Sequence, residues 1–182
     1  MGTEKSSAVA PPAQSGTDRL LRIAIGLLTI GLVFAIYTGI HERVVVAGDA
    51  APDFRITAEG GRTISLPDFG GKVLVLNFWA TWCPPCVEET PSLSQFAAQY
   101  ASKGVVVLAV SVDRDEKAYR KFLEKYKPAF LTAREDKLHG EYGTFMYPES
   151  YIIDAKGKVV AKYPEAVDWS SPAIASLVNS LL

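Results

Sequence analysis

The chain has 182 residues, of which 48% are hydrophobic and 21% charged, and its formal net charge is −1. This composition is that of one globular domain with some additional sequence. Acidic and basic residues are interspersed after residue 50 without a basic stripe, so we expect no nucleic-acid partner.

The additional sequence is N-terminal. Residues 1–19 include a stretch rich in Ala, Pro, Ser and Gly, and are predicted to form a disordered cytoplasmic tail. Residues 20–40 are strongly apolar, and the uncharged run from Ile23 to Ile40 makes a helix of roughly 27 Å, close to the thickness of a bilayer core. We therefore predict a transmembrane anchor over residues 20–40, followed by a linker over residues 41–49.

The apolar run is longer than the core of a secretory signal peptide, and a small-residue cleavage site, Val45-Val46-Ala47, comes only several residues after it. An uncleaved anchor is therefore favoured, and a cleaved signal is the alternative. Lys5, Arg19 and Arg22 precede the helix. Arg43 is the nearby basic residue that follows it. This bias predicts a cytoplasmic N-terminus and a main domain outside the cytoplasmic membrane.

Residues 50–182 show the alternation of strands and helices that is typical of an α/β domain. A strand, a helix and a strand in succession predict a right-handed parallel crossover. The predicted elements, in order, are a hairpin over 54–66, a buried strand over 73–78, a helix over 84–101, a second buried strand over 105–112, a helix over 113–127, an antiparallel hairpin over 151–163 and a closing helix over 170–182.

The two cysteines of the chain, Cys83 and Cys86, stand where the first buried strand gives way to a helix. This spacing brings the sulfurs within bridging distance and favours a redox dithiol. A zinc site would need two more ligands, and the only histidines, His41 and His139, do not form a ligand-spaced pair. A purely structural role for the disulfide has little support, because a bridge over so short a loop restricts the unfolded chain little.

The helix start separates the roles of the two sulfurs. Unpaired N–H groups and the helix dipole favour a thiolate at Cys83, which is expected to be exposed and to attack the substrate. Cys86, one turn later and pointing into the domain, is expected to resolve the mixed disulfide. Pro84 and Pro85 bring no N–H to the sulfurs, so the thiolate is stabilised less and the pair is tilted toward reduction.

The domain resembles the thioredoxin fold, and more closely the membrane-anchored thiol-disulfide oxidoreductases of the TlpA and ResA type, which include cytochrome c maturation reductases. The resemblance implies a central mixed sheet flanked by helices, with an N-terminal β-hairpin extension. We expect neither a metal nor another cofactor. The motifs that carry it are Gly48 to Phe54, Leu76 to Cys86, Glu89 to Pro91 and Tyr147 to Asp154.

The resemblance also implies a role for a helix carboxylate. Asn77 occupies the strand position at which thioredoxins carry a buried acid, and in the TlpA and ResA type the acid is on the helix, here at Glu89. We expect Glu89, one turn after Cys86, to have a raised pKa and to exchange protons with that cysteine. An ordinary surface glutamate is the alternative.

The substrate-binding surface is expected around the first cysteine. Trp82 and Pro84 flank that cysteine, and Trp82 is expected to form part of an exposed apolar rim. Pro148 resembles the cis-proline that faces the cysteines in thioredoxin-like folds, so Tyr147 is expected to present its backbone to an extended substrate strand. Glu149 is expected to select partners by charge.

The leading hypothesis is a reductase of disulfides in exported proteins. The resemblance implies apocytochrome c as the favoured substrate and a membrane electron-transfer protein as the donor. A disulfide oxidase or isomerase, a thiol peroxidase and a redox-inert client-binding module are the alternatives. A reduction potential near or below about −200 mV favours the reductase, and one near about −120 mV favours the oxidase. Rapid reaction of Cys83 with hydrogen peroxide favours the peroxidase.

Overall fold

The computed structural model describes residues 16–40 and 44–182. Most of the predicted tail over 1–19 and the start of the predicted linker, residues 41–43, lie outside the described residues. The described chain forms two units, an N-terminal helix and a larger C-terminal domain.

The N-terminal unit is helix α1, Gly16–Ile40. Within the described residues its segment Gly16–Ile36 is the one helix long and apolar enough to cross a membrane, and its large apolar side chains are exposed. A helix needs about 20 predominantly apolar residues to span a bilayer. The predicted anchor over 20–40 is thus a candidate transmembrane span, and its helix begins earlier, at Gly16.

The larger domain alternates strands and helices. Two short 3₁₀ segments, Leu66–Phe69 and Ala101–Lys103, adjoin these elements. The strands and helices are, in chain order, β1 (Arg55–Thr57), β2 (Thr63–Ser65), β3 (Val73–Trp79), α2 (Pro84–Tyr100), β4 (Val105–Ser111), α3 (Glu116–Tyr126), β5 (Leu131–Arg134), α4 (Leu138–Glu141), β6 (Glu149–Ile153), β7 (Val159–Tyr163) and α5 (Pro172–Asn179).

Five strands form a mixed sheet in the order β5-β4-β3-β6-β7. The β3–β4 and β4–β5 pairs are parallel, whereas β6 pairs antiparallel with both β3 and β7. The hairpin β1–β2 forms a separate two-stranded sheet, and a single bridge between Ala58 and Ala133 connects its end to β5. The predicted parallel crossover, the C-terminal hairpin and the N-terminal hairpin extension are all confirmed.

The central strand β3 is apolar almost throughout because helices and the hairpin cover both faces of the sheet. Alternate residues of a strand point to opposite faces. Leu74 and Leu76 accordingly pack in the cluster that contains the hairpin residue Ile64. Val73 and Val75 pack in the other cluster, with side chains of α2 and α5. Because β3 is held by packing on both faces, its C-terminal end at Trp79 determines the position of the first turn of α2, which begins at Pro84.

The domain begins before residue 50, because part of the predicted linker belongs to its core. Val45 is buried in the same cluster as the hairpin, and its backbone N–H donates to the carbonyl of Tyr142 at 3.2 Å. The N–H of Gly48 donates to the carbonyl of Val159 at 2.8 Å. These bonds satisfy backbone groups that a free linker would leave to solvent.

Candidate active site

The two cysteines lie at the start of α2, directly after the C-terminal end of β3. Cys83 is the N-cap residue with extended backbone, and Pro84 and Pro85 occupy the first two helical positions. The sulfurs of Cys83 and Cys86 form a disulfide, with their Cα atoms 5.3 Å apart. Residues three apart on a helix share one side, so the strand-to-helix turn by itself brings the pair together.

The two cysteines are almost equally buried, at 4% exposure for Cys83 and 3% for Cys86. The expectation that Cys83 alone is exposed is therefore wrong for the disulfide form. The sulfurs differ in their surroundings instead. Sγ of Cys83 accepts a hydrogen bond from the backbone N–H of Cys86 at 3.3 Å and lies 3.4 Å from the carbonyl oxygen of Tyr147. It is the sulfur at the helix terminus.

A buried carboxylate holds the loop that leads to the cysteines. Asp113, just after the end of β4, accepts hydrogen bonds from the backbone N–H of Thr81 at 2.9 Å and from its hydroxyl at 2.7 Å. The Ser111 hydroxyl donates to the same carboxylate at 2.6 Å. The end of β4 thus fixes the loop two residues before Cys83, a contact that the sequence analysis missed.

The loop before β6 faces the cysteines across an open surface. The Tyr147–Pro148 peptide bond is cis, as the resemblance implies. Trp82 is 64% exposed, and its ring meets the Tyr147 ring edge-on with centroids 5.9 Å apart. Pro84 is exposed as well. A groove of about 680 Å³ runs from these two aromatic rings toward Asp113.

Asn77 has a structural partner on the neighbouring strand. Its side-chain N–H donates to the Ser150 hydroxyl at 2.9 Å, and both residues are buried. Because a neutral hydrogen-bonded pair fills this position of the central strand, β3 supplies no carboxylate there. Phe78 and Trp79, next along β3, are buried in the core.

Glu89 is a buried carboxylate of α2, one turn after Cys86. It is 5% exposed, and its Oε1 accepts a hydrogen bond from the indole N–H of Trp169. Its Oε2 has no hydrogen-bond partner among the residues that the structure describes. Burial raises the pKa of Glu89 to about 7, and hydrogen bonds from Trp169 and from the Val167 backbone limit the rise.

Glu149 does not present a charge to partners, so that expectation is wrong. The residue is buried, and its carboxylate pairs with Nζ of Lys162 at 2.9 Å. The Tyr151 hydroxyl donates to the same carboxylate at 3.0 Å. A charge this deep in the sheet needs an internal partner, because solvation is lost on burial. Glu149 therefore ties β6 to β7 directly behind Pro148.

The raised pKa of Glu89 predicts a pH-dependent stability. Because about 7 lies above the ordinary 4.5, the folded state loses stability as pH rises through this interval, by about 3 kcal/mol at pH 8. Glu89→Gln removes the charge and keeps an oxygen for Trp169. We expect the variant to be about 2 kcal/mol more stable than wild type at pH 8 and nearly equal at pH 5.

Urea unfolding of the oxidised, detergent-solubilised full chain at the two pH values measures this difference. A difference between Glu89→Gln and wild type that does not change with pH would contradict a buried, titrating carboxyl group. Glu88 is exposed on the same helix, so Glu88→Gln is the matched control. We expect it to change the free energy of unfolding by less than about 0.5 kcal/mol at both pH values.

The fold and the cysteine pair agree with comparisons to known proteins. The family model described as Redoxin matches residues 46–181 of this chain. The chain belongs to the redoxin family. A thiol-disulfide oxidoreductase ResA of Bacillus cereus is 37% identical over 148 residues, which cover 79% of this redoxin and 86% of the relative. The thioredoxin-like protein YneN of Bacillus subtilis is 38% identical over 145 residues, covering 74% and 84%.

Solved structures give the same result. A Chlorobium tepidum protein assigned as thiol:disulfide interchange protein DsbE has a TM-score of 0.69 and 33% identity, covering 74% of this redoxin and 96% of that chain. The thioredoxin domain of a Bacteroides vulgatus thiol-disulfide oxidoreductase has a TM-score of 0.67 and 28% identity, covering 74% and 99%. This redoxin is a thiol-disulfide oxidoreductase of the ResA type with a thioredoxin-like fold, and the predicted resemblance is confirmed.

Proposed function

We propose that this redoxin reduces disulfides in exported proteins, with Cys83 as the attacking sulfur and Cys86 as the resolving one. The Cys83 thiolate attacks one substrate sulfur, and the other substrate sulfur leaves as a thiolate that takes up a proton. The Cys86 thiolate then attacks Sγ of Cys83 and releases the second substrate thiol. Two electrons pass to the substrate, and the Cys83–Cys86 disulfide forms.

The observation that carries this proposal is the position of the Cys83 sulfur. Sγ stands at the helix terminus beside the Tyr147 carbonyl, and the exposed Trp82 ring adjoins it in sequence. A peptide that approaches the open side therefore meets Cys83 first. Cys86 is the third residue of α2, behind its partner. This order supports attack by Cys83 and resolution by Cys86.

The substrate is proposed to bind as an extended strand along Tyr147 and Pro148. A segment before a cis-proline offers backbone groups to a peptide, and added strands bind mainly through such backbone hydrogen bonds. Trp82 and Pro84 supply apolar contact area on the other side of the sulfur. Because backbone hydrogen bonds depend little on the side chains of the bound peptide, we expect this surface to bind several disulfide-bearing proteins.

Glu89 is proposed to carry the proton that Cys86 must lose before it attacks. A general base works best when its pKa is near the operating pH, and the pKa of about 7 at Glu89 meets this condition. The carboxylate follows Cys86 by one helical turn. We therefore assign Glu89 to proton exchange with Cys86, and the rate of resolution should rise with pH through the Glu89 pKa.

Reduction is the proposed direction because few donors reach the Cys83 sulfur. An N-cap side chain accepts from the second or third N–H of its helix, and here the second residue, Pro85, has none. Among the described residues, the donor to this sulfur is the N–H of Cys86, and the Tyr147 carbonyl opposes a negative charge on the sulfur. A thiolate stabilised this weakly makes the reduced pair a stronger reductant.

Redox titration against a glutathione or dithiothreitol couple tests the direction. We expect a potential near or below about −200 mV, and a value near about −120 mV would favour the oxidase instead. Pro85→Ala adds a donor at the second helical position, and we expect it to raise the potential by about 20–30 mV. Pro84→Ala adds an N–H at the first position, outside the reach of the sulfur, and is the matched control.

The location and the partners extend this proposal. Helix α1 supports single-pass anchoring in the cytoplasmic membrane with the catalytic domain outside, in an oxidising space. Regeneration of the thiols there requires a reductant, and we propose a membrane electron-transfer protein as the donor. The relatives named ResA and the structure assigned as DsbE are thiol-disulfide exchange proteins by name, which supports a disulfide-bearing client. We propose that this client is apocytochrome c, whose haem-binding cysteines must be reduced before ligation.

A further inference from the structure

The segment between β7 and α5 supplies the donors that reach the buried carboxyl group of Glu89. The indole N–H of Trp169 donates to Oε1, and the backbone N–H of Val167 faces the same carboxyl group. The other oxygen, Oε2, has no hydrogen-bond partner in the described part of the chain. The Trp169 indole therefore engages Oε1, whereas Oε2 makes no direct hydrogen bond within the described residues.

Trp169 is itself fixed from several sides. Its side chain is buried, and its ring packs against Phe96 of α2 at 5.3 Å and Tyr163 of β7 at 6.5 Å between centroids. The turn around it is closed by Asp168, whose Oδ1 accepts from the backbone N–H of Ser170 at 3.0 Å. Close packing on these sides restricts rotation of the indole and so holds its N–H toward Glu89.

We propose that Trp169 is a positioning residue for proton transfer, which fixes Glu89 through Oε1 and leaves Oε2 as the site for the proton exchanged with Cys86. The indole N–H only donates, so it cannot receive the proton of a neutral carboxyl group. With Oε1 engaged, a proton that leaves the Cys86 thiol binds Oε2. The resulting Cys86 thiolate attacks Sγ of Cys83, and the released substrate thiolate takes up one proton. This inference rests on the proton-transfer role proposed for Glu89.

The test is Trp169→Phe, which keeps an aromatic ring between Phe96 and Tyr163 and removes the donor. Cys86 is the titratable residue one turn earlier on the same helix, and the Tyr163 ring packs against the indole of Trp169. A hydrogen bond to a charged group corresponds to about one pH unit or more. We expect the Glu89 pKa to rise by at least about one unit, and the rate of mixed-disulfide resolution at pH 6 to fall about tenfold.

Two measurements on the detergent-solubilised full chain are needed. Carbon-13 NMR of labelled glutamate follows the carboxyl titration, with the Glu89 signal identified by its loss in Glu89→Gln. Stopped-flow reduction of a peptide disulfide gives the pH profile of resolution. The matched control is Trp79→Phe, because that buried indole N–H has no partner in the described chain. We expect Trp79→Phe to change neither the Glu89 titration nor the pH profile of resolution.

The outcomes distinguish a purely structural role of Trp169 from a role in positioning Glu89 for proton transfer. An upward shift of both the titration and the rate profile in Trp169→Phe, with none in Trp79→Phe, supports the inference. An unchanged Glu89 titration overturns it and leaves the proton-transfer role of Glu89 intact. A third outcome is that the Glu89 titration shifts in Trp169→Phe, but the pH dependence of the wild-type resolution rate does not match the Glu89 pKa. That outcome overturns the proton-transfer role of Glu89, and the inference with it. Adding Trp169→Phe to Glu89→Gln should leave the pH profile of the resolution rate the same as in Glu89→Gln alone.

Discussion

Cys86→Ser is expected to stop turnover and to trap the substrate on Cys83 as a mixed disulfide. Without a resolving sulfur, the first exchange still occurs and the second does not. Losing one member of a catalytic pair that acts as a unit costs on the order of 10³-fold or more in rate. Non-reducing gels of the membrane fraction, with mass spectrometry of the trapped species, measure the adduct and identify the client.

Cys83→Ser is the matched control for this trap. Both variants lack the disulfide and should lose turnover to the same extent. Only Cys86→Ser should carry an adduct, because the Cys83 sulfur lies beside Tyr147, where we propose that the substrate binds. Equal trapping by the two variants would show that either sulfur can attack. Adducts only in Cys83→Ser would reverse the assignment. Absence of any adduct would count against a reductase that forms covalent intermediates with exported proteins.

The parts of the fold that depend on local pattern were predictable from the sequence. The central strand is a continuous apolar run, and α2 begins at the two prolines that follow the first cysteine. Both signals lie within a few residues of the feature that they predict. The cysteine pair could be placed at a strand-to-helix turn for the same reason, and the family motifs added the cis-proline.

Strand β5, Leu131–Arg134, was missed because nothing in its own four residues identifies it. Its polar residues Thr132 and Arg134 interrupt any apolar run. The strand forms through its parallel pairing with β4, and the Tyr119 hydroxyl meets the Thr132 hydroxyl at 3.1 Å. Such a strand is determined by tertiary contacts, which a short sequence window does not contain.

The site differs from the sequence-based expectation wherever a distant residue decides the environment. Asp113 holds the active-site loop from 32 positions away, and Trp169 reaches Glu89 across 80 positions. The sequence could place Glu89 beside Cys86 but not its indole donor. Likewise the position of Glu149 after Pro148 suggested an accessible charge. Its charge is instead paired with Lys162, on the neighbouring strand β7.

Lys162→Met is expected to destabilise the domain by about 2–3 kcal/mol. Removing one partner of a buried ion pair leaves an uncompensated charge, which typically costs 3 kcal/mol or more. The Lys162 side chain is 16% exposed, so solvent screens part of the loss. The Glu149 carboxylate would keep only the Tyr151 hydroxyl as a direct partner among the described residues. Urea unfolding of the oxidised full chain in detergent gives the value.

The stability loss should come from the stranded carboxylate rather than from the methionine. Adding Glu149→Gln to Lys162→Met removes the charge, so the double variant should recover at least half of the loss, and the two effects should be non-additive. Lys156→Met, on an exposed turn, should change stability by less than about 0.5 kcal/mol. A double variant no more stable than Lys162→Met would place the loss in packing around the lysine stem. Because Glu149 directly follows Pro148, the unpaired Glu149 charge in Lys162→Met should also slow reduction of a peptide disulfide. The double variant lacks that charge and should recover the rate together with the stability.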